Sequence, residues 1–397
     1  MIERSARSAL LRLASQFPVV GVTGPRQSGK TTLVRAAFPE KRYVSFDDHD
    51  MRSLARANPR DFLLAFPEGA IFDEAQKVPE IFDAVKRQVD QDAAAPGGFA
   101  PGKYVLTGSS QFRLKRNMTD SMAGRAAFMT LLPFAADELR RAGALPETLY
   151  DCILRGQYPP LHDPERRYLA EDWHDSYIDA YLERDVQDLI NPTNAATFKK
   201  FVRVCALYTG RMLSMDRIAR DVGVSAPTIK SWLSILETSY IIHLLEPDTN
   251  SLGRALVKTP KLYFVDSGLA CRLLRLESIE ELLLHNSKGA LVETFAVAEL
   301  LKSRTNMAKQ PNLAYFRDRK GFEVDFIADW KRTFAIEVKS AAATDPHLAD
   351  NVRKYLALRG DAEARGAVFH PGEASMTVNG VQYVGWRDWG TFLAGEK

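Results

Sequence analysis

Short continuous runs of apolar residues alternate with stretches of helical spacing in the N-terminal part of the chain. The run Phe17–Val22 predicts a buried strand, and Thr32–Ala37 after it predicts a helix. Met51–Phe66 has helical spacing that Pro59 interrupts. Further apolar runs predict strands at Arg42–Phe46, Gly69–Glu74, Lys103–Thr107 and Ala126–Leu132. Strands and helices that alternate in this way predict an α/β fold built on a parallel sheet.

The turn between the first strand and the first helix carries a phosphate-binding pattern, G-x-x-x-x-G-K-[ST]. Glycines let successive backbone N–H groups point at an anion, and the N-terminus of the next helix adds partial positive charge. A glycine-rich turn before an ordinary helix explains the glycines but not Lys30 and Thr31 at this offset after a strand. We therefore predict that ATP binds through Gly24, Pro25, Arg26, Gln27, Ser28, Gly29, Lys30, Thr31 and Thr32.

Two carboxylates end the strand Gly69–Glu74, about forty residues after this loop. In P-loop ATPases such a strand lies beside the loop strand. We expect Lys30 to contact the outer phosphates. Thr31 and Asp73 would hold Mg²⁺, and Glu74 would activate the attacking water. Two acids at the start of a surface helix, which favours negative charge, are the alternative explanation of the pair.

Polar residues follow the next predicted strand and precede the last one. Ser109 would lie at the sheet edge where ligands gather, and can sense the terminal phosphate or position water, although Gly-Ser-Ser is also a common turn composition. Arg125 stands where an oligomeric ATPase presents an arginine finger to a neighbouring subunit. A solvated arginine is the alternative, and Arg113 and Arg116 compete for the role.

The order of these motifs resembles the ATPase core of the AAA+ superfamily. Residues 24–31, Leu106–Ser110 and Lys261–Leu269 are similar to a bacterial and archaeal family of AAA+-type ATPases with a C-terminal domain of unknown function. The resemblance covers nearly the whole chain. It implies ATP hydrolysis and, with Arg125, a homo-oligomer with nucleotide at its subunit interfaces, but it does not identify a substrate.

Residues 135–201 have apolar positions at helical spacing within a charged sequence, which predicts a helical lid over the nucleotide. Arg184 can contact phosphate, with a structural ion pair as the alternative. The apolar positions that mark the spacing are Trp173, Tyr177, Ala180, Tyr181 and Ile190.

Two short amphipathic stretches on either side of Gly223 predict a helix-turn-helix, with Ser214 and Ser225 as N-caps. Tyr240–Leu245 and Leu262–Val265 can form the strands of a wing. The positions that the two helices would bury are Ile218, Ala219, Val222, Ile229, Leu233 and Leu236.

DNA is the expected partner of this segment. Because the second helix has a single basic residue, and winged helices also bind proteins, a protein partner is an equal alternative. The residues that would face DNA are Thr228, Lys230, Ser231 and Ser234 in the major groove, with Arg217 and Arg220 near the backbone.

The C-terminal part carries a second group of charged residues on predicted elements. A helix bears Glu293, and two strands joined by a tight turn bear Asp325 and then Glu337, which is followed by Lys339. The order helix, strands, helix, strand is similar to the restriction-endonuclease-like, PD-(D/E)XK fold, and these residues fall where that superfamily keeps E…D…E-x-K. The elements are placed at Lys288–Ser303, Glu323–Ala328, Thr333–Val338, His347–Arg359 and Gly366–Phe369.

These residue types suit phosphodiester cleavage. Asp325 and Glu337 can hold one or two divalent ions, Mg²⁺ or Mn²⁺, while Glu293 completes the set and Lys339 steadies the attacking water. The alternative is a solvated Glu–Lys pair, since residues two apart on a strand share a face. A central strand gives such charges no solvent, so we expect a metal site. No proline precedes Asp325, a departure from the simplest pattern.

Composition sets limits on the class of protein. A length of 397 residues predicts about two to four domains, and 46% hydrophobic with 26% charged residues is typical of globular proteins. Cys152, Cys205 and Cys271 lie far apart without metal-ligand spacing, which predicts a reducing cytoplasm and neither zinc nor disulfides. No apolar run is long enough to span a bilayer and no signal peptide is evident, so we expect no membrane partner.

We divide the chain into a P-loop ATPase core (1–134), a helical lid (135–201), a winged helix-turn-helix (202–266) and a restriction-endonuclease-like domain (267–397). The first hypothesis is an AAA+-type ATPase that couples nucleotide-driven change to DNA binding and metal-dependent phosphodiester cleavage. The second is an ATP-controlled binding or signalling scaffold whose nuclease-like domain is inactive.

Overall fold

The computed structural model describes residues 1–95, 98, 100–109, 122–181, 195–249, 256–341 and 345–394. Three arginines considered above, Arg113, Arg116 and Arg184, lie outside these ranges.

The N-terminal part alternates strands and helices, as the apolar pattern predicts. Its strands pair in parallel in the order β2-β3-β4-β1-β5, so the chain leaves β1, β3 and β4 at one shared edge of the sheet. The expectation that the strand of Asp73 lies beside the loop strand is wrong, because β4 lies between β3 and β1. The elements are α1 (Ala6–Ala14), β1 (Val19–Thr23), α2 (Lys30–Ala37), β2 (Arg42–Ser45), α3 (His49–Ala57), α4 (Pro59–Leu64), β3 (Ala70–Asp73), α5 (Glu80–Ala94), β4 (Tyr104–Gly108) and β5 (Ala126–Thr130).

Helices cover both faces of this sheet. On one face, Leu10 of α1 and Leu33 of α2 pack with Val22 of β1. On the other face, Phe82 of α5 packs with Phe72 of β3. A strand covered on both sides must be apolar at every position, which is why the sequence shows continuous apolar runs here rather than alternation.

The middle of the chain is mainly helical. The predicted apolar positions Trp173 and Tyr177 are buried and stack on each other, with Tyr158 beside them. The elements are α6 (Ala136–Arg141), α7 (Leu149–Arg155), α8 (Ala170–Tyr181), α9 (Ala195–Leu207), β6 (Arg211–Met212), α10 (Met215–Val222), α11 (Ala226–Thr238), β7 (Ile242–Leu245), β8 (Lys261–Phe264), α12 (Ser267–Leu273) and α13 (Ile279–Leu284).

Helices α10 and α11 meet at Gly223, which ends α10 in the left-handed conformation with φ +90°. Ser225 caps α11, since its side chain accepts a hydrogen bond from the N–H of Thr228 at 3.3 Å. The expectation that the Ser214 side chain caps α10 is wrong. Ser214 stands at the N-cap position, but its side chain makes no capping hydrogen bond. Strands β6 and β7 each pair antiparallel with β8, where wing strands are predicted.

The C-terminal part forms a mixed sheet in the order β13-β14-β12-β11-β10-β9. Strands β9, β10 and β11 are antiparallel, β12 runs parallel to β11 and β14, and β13 is antiparallel to β14. The elements are α14 (Lys288–Thr305), β9 (Leu313–Arg317), β10 (Glu323–Asp329), β11 (Thr333–Val338), α15 (Asp350–Arg359), β12 (Arg365–His370), β13 (Met376–Val378), β14 (Val381–Gly385) and α16 (Trp389–Ala394).

The middle segment and the C-terminal sheet share one hydrophobic core. Phe295 of α14 and Ile336 of β11 belong to the same buried cluster as Phe264 of β8 and Leu236 of α11. The opposite face of the sheet is covered by α15, whose Tyr355 packs edge-on against Phe316. This shared core fixes β8 beside the C-terminal sheet. No described helix is both long and apolar enough to cross a membrane.

Candidate functional site

The phosphate-binding loop leaves the C-terminal end of β1 and leads into α2. Gly24 has φ +149°, and a Cβ atom there would lie 2.1 Å from the carbonyl oxygen of Leu131. Gly29, just before α2, has φ +89°. Both positions therefore require glycine.

Polar groups of the loop are buried. Lys30 Nζ donates hydrogen bonds to the carbonyl oxygens of Gly24 at 3.0 Å and Pro25 at 2.8 Å. Ser28 Oγ is buried and has no hydrogen-bond partner within the described part of the chain. Arg4, which the sequence does not single out, donates to the carbonyl of Ser28 at 2.7 Å and supports the loop from outside. Thr32 lies exposed on the first turn of α2.

Three hydroxyl groups converge on the carboxylate of Asp73 at the end of β3. Thr31 Oγ1 donates to Asp73 Oδ2 at 2.7 Å, and so does the Tyr43 hydroxyl at 2.7 Å. Thr107 Oγ1 donates to Asp73 Oδ1. Burial, together with the hydrogen bond to Asp73, raises the pKa of Tyr43 to about 12. The sequence predicts that Thr31 and Asp73 lie close together. It does not predict the hydrogen bond from Tyr43, which stands on the neighbouring strand β2.

Glu74 has a left-handed backbone with φ +54°, a conformation that costs a non-glycine residue of order 1 kcal/mol and often marks functional sites. Its side chain accepts hydrogen bonds from Ser109 Oγ at 3.3 Å and from Gln76 Nε2. The structure thus brings Glu74 and Ser109 together at the sheet edge beside the loop.

The loop and strand ends fit ATP with Mg²⁺. The Thr31 hydroxyl and the Asp73 carboxylate are adjacent oxygen donors, which Mg²⁺ prefers. The buried Ser28 hydroxyl, without a partner among the described residues, and the N-terminus of α2 offer donors to phosphate oxygens. Trp173 Nε1 of α8 donates to Gln27 Oε1 at 3.1 Å, so the predicted lid already contacts the loop.

Arg125 lies at the opposite edge of the sheet. It directly precedes β5, whose first residue Ala126 pairs with Val19 at the start of β1, whereas the loop follows the end of β1. Its guanidinium pairs with Asp90 and is partly exposed. Arg125 cannot reach the nucleotide of its own subunit from this edge, so a finger role requires a second subunit.

A buried acidic centre occupies the middle of the C-terminal sheet. Phe326 pairs with Ile336 across β10 and β11, which places Asp325 and Glu337 opposite each other one residue further along. The N–H of Val338 donates to Asp325 Oδ2 at 2.8 Å. Lys339 Nζ donates to Glu337 Oε1 at 2.6 Å, while Glu337 Oε2 is buried without a partner in the described residues. The solvated Glu–Lys pair is excluded for Glu337, which is 7% exposed.

Residues that the sequence analysis did not single out complete this centre. The Tyr263 hydroxyl of β8 donates to Glu293 Oε2 at 2.9 Å. Lys261 of the same strand is buried, and its Nζ lies 2.5 Å from Glu323 Oε1. Both residues belong to the middle segment. In the sequence, Lys261–Leu269 carries a resemblance to the ATPase family and no signal of a role at this centre.

Burial and mutual repulsion set the electrostatics of the centre. Burial first, and the Asp325 carboxylate second, raise the pKa of Glu293 to about 8 and that of Glu337 to about 7. Burial also raises the pKa of Asp325. Burial lowers the pKa of Lys261, but the carboxylates of Glu293, Asp325 and Glu323 outweigh it and the net pKa is raised.

The predicted metal site at Asp325 and Glu337 has few protein oxygen donors. Across the described ranges no group of three or more His, Cys, Asp or Glu side chains is arranged to hold a metal. Mg²⁺ commonly uses one or two carboxylates and takes its other ligands from water and substrate phosphate. Asp325 and Glu337, with the free Glu337 Oε2, fit that pattern.

A separate cleft of about 490 Å³ lies among α7, α8 and α12, with Arg155, His174 and Arg272 in its wall. It contains no residue of the loop or of the acidic centre.

Comparison with family models divides the chain into three matched parts. Residues 16–140 match an AAA domain. This match supports an ATPase of the AAA type. Residues 146–280 and 288–389 match two domains of unknown function, DUF8612 and DUF4143. The AAA match contains Gly24–Thr31, Asp73, Glu74 and Arg125, and the last match contains the whole carboxylate set of the acidic centre.

The chain is also similar to two mycobacterial proteins and to a solved archaeal ATPase. The uncharacterized proteins Rv2008c of Mycobacterium tuberculosis and Mb2031c of Mycobacterium bovis are each 29% identical over 377 residues, covering 94% of this chain and 81% of the relative. Among solved structures, a Walker-type ATPase of Pyrococcus abyssi is 15% identical with a TM-score of 0.46, covering 69% of this chain and 96% of its own.

Proposed function

We propose that this AAA-type ATPase couples its nucleotide state to DNA binding and to metal-dependent phosphodiester cleavage by the C-terminal domain. One observation carries the cleavage part: Asp325 and Glu337 are buried opposite each other on adjacent strands, with Lys339 on one carboxylate oxygen and the other oxygen buried. Buried carboxylates cost stability unless they are protonated, paired with cations or bound to a metal ion.

In the nucleotide site, Lys30 donates to the carbonyl oxygens of Gly24 and Pro25, and phosphate oxygens of ATP would replace them as its partners. Thr31 and Asp73 would hold Mg²⁺, which offsets charge on the transferring phosphoryl group. Glu74, oriented by Ser109, accepts a proton from the attacking water. The γ-phosphate is thereby transferred to water, and ADP leaves.

In the acidic centre, Asp325 and Glu337 would hold Mg²⁺ or Mn²⁺, which supplies Lewis-acid stabilisation of charge on the phosphate oxygens. Glu293 extends the carboxylate set. Lys339, whose Nζ donates to Glu337 Oε1, would hold the attacking water or hydroxide. Water would add to phosphorus and lose a proton to solvent, the P–O bond to the leaving sugar would break, and the leaving oxygen would take a proton from solvent.

The C-terminal topology supports this proposal. Helix α14 precedes the antiparallel strands β9, β10 and β11, and helix α15 leads to β12 parallel to β11, the order of a restriction-endonuclease-like core. DNA binding rests on α10 and α11, whose turn at Gly223 matches helix-turn-helix spacing. The position of Arg125 at the far sheet edge leaves it a finger role only toward another subunit, so the proposal includes a homo-oligomer.

The second candidate is an ATP-controlled scaffold with an inactive nuclease-like domain. The observation that favours it is the pairing of the acids with cations: Lys261 lies on Glu323 and Lys339 on Glu337, so part of the negative charge is neutralised within the protein. In that case the centre would be a buried ion network that shapes a binding surface.

Cleavage of defined DNA by purified protein separates the two candidates. Duplex, single-stranded and branched DNA would each be incubated with Mg²⁺ or Mn²⁺, with and without ATP, and with EDTA as the control. We expect metal-dependent cleavage of at least one substrate, altered by ATP. Intact DNA in every arm, from protein that hydrolyses ATP, would favour the scaffold.

A further inference from the structure

Strand β8 belongs by sequence to the middle segment, yet two of its side chains lie in the acidic centre of the C-terminal sheet. Tyr263 is fully buried, and its hydroxyl is 2.9 Å from Glu293 Oε2. Lys261, two residues earlier, shares that face of the strand and lies on Glu323. The shared hydrophobic core around Phe264 holds the strand in this place.

We propose that Tyr263 is a positioning residue for metal binding, acting through Glu293, so that the centre is completed by the middle segment. This inference rests on the proposed metal-dependent function of Asp325 and Glu337.

The physical reason is orientation of a carboxylate in a confined space. Glu293 is on helix α14, whereas Asp325 is on strand β10. Without a partner, the Glu293 side chain would rotate and would face the ion or its water for little of the time. The hydrogen bond from Tyr263 restricts that rotation. Partners that orient metal-binding side chains typically contribute about 10- to 100-fold in metal affinity or activity.

The test compares Tyr263→Phe with Tyr355→Phe in the full chain. Both tyrosines are fully buried, and each hydroxyl donates to a carboxylate, that of Tyr355 to Asp248 Oδ2 at 3.0 Å. The Tyr355 hydroxyl also accepts a hydrogen bond from Arg359 at 3.3 Å. Every protein would carry Asp73→Asn, so that the nucleotide site contributes no Mn²⁺ binding. Free Mn²⁺ is measured by electron paramagnetic resonance, and thermal midpoints are recorded alongside.

We expect Tyr263→Phe to weaken Mn²⁺ binding by about 10- to 100-fold and Tyr355→Phe to leave it unchanged, while both lose similar thermal stability. If the parent binds Mn²⁺ through Asp325 and Tyr263→Phe binds it equally well, the role of Tyr263 is overturned and the metal site stands. If the parent binds no Mn²⁺, the proposed metal function itself fails, and this inference with it.

Discussion

Tyr240 and Thr23 share a hydrogen bond of 2.6 Å between their hydroxyl groups. Thr23 is the last residue of β1, directly before Gly24 of the phosphate loop. Tyr240 has φ +60° and leads from α11 into β7, which pairs with β8. The end of β1 therefore contacts Tyr240 directly, and Tyr240 leads into the strand pair β7–β8, whose β8 reaches the acidic centre.

Tyr240→Phe tests whether this contact transmits the nucleotide state. We expect ATP hydrolysis to change by less than about threefold, because no catalytic group is touched, and the effect of ATP on DNA cleavage to be lost. Tyr208→Phe is the control, since its hydroxyl bonds Asp221 in the same segment away from both sites. Cleavage that responds to ATP equally in wild type and Tyr240→Phe would show that coupling takes another route.

In the nucleotide site, Lys30 is assigned to ATP binding and Glu74 to activation of the attacking water. Lys30→Ala should abolish tight ATP binding, because the cation for the outer phosphates is gone. Glu74→Gln should bind ATP normally and hydrolyse it about 10²-fold or more slowly, because an amide cannot accept the proton of water. Binding is measured by fluorescent nucleotide titration and turnover by phosphate release. Equal turnover of Glu74→Gln and wild type would remove Glu74 from the catalytic role.

Arg125 is expected to act on the nucleotide of another subunit. Arg125→Ala should keep ATP binding and lose turnover by about 10³-fold. Mixing Arg125→Ala with Glu74→Gln chains should restore part of the activity, because some interfaces then combine an intact Arg125 with an intact Glu74. Phosphate release from the mixture measures this. Full activity of dilute wild-type monomers would contradict a finger in trans.

The raised pKa of Glu293 has a consequence for stability. Its pKa is about 8 in the folded chain, from burial and then Asp325, and the ordinary value is 4.5. Between these pH values the folded chain keeps a proton that the unfolded chain releases, so the contribution of Glu293 to stability falls as pH rises. Glu293→Gln imitates the protonated form, and its thermal midpoint should rise relative to wild type from about pH 5 to about pH 8. A difference independent of pH would contradict the raised pKa.

The sequence predicts which residues meet beside the loop, Thr31 with Asp73 and Glu74 with Ser109, because the motifs follow a local pattern. Lys30 and Thr31 are fixed by spacing, and Asp73 by the apolar strand before it. Thr107 and Tyr43 were not predicted, since a hydroxyl on a strand becomes a partner of Asp73 only through the order β2-β3-β4. Strand β9 and the hairpin β13–β14 were also not predicted.

In the acidic centre, too, the contacts between distant segments could not be predicted from the sequence. Asp325, Glu337 and Lys339 were predicted because two neighbouring strands carry them. Tyr263 and Lys261 lie before the predicted boundary at residue 267, on a strand whose own pattern indicates a wing. Only the shared core around Phe264 places that strand against Glu293, and contacts between distant segments leave no periodic signal in sequence.

Cleavage by Asp325→Ala and Lys339→Ala, compared with wild type, tests the central proposal most directly. Asp325 holds the ion, so its loss should remove Mn²⁺ binding and cleavage together, whereas Lys339→Ala should keep the ion and cleave about 10²-fold more slowly. ATP hydrolysis by both variants, measured in the same preparations, should be close to that of wild type because the nucleotide site is separate. Metal-dependent cleavage that survives Asp325→Ala would contradict the assignment of this centre.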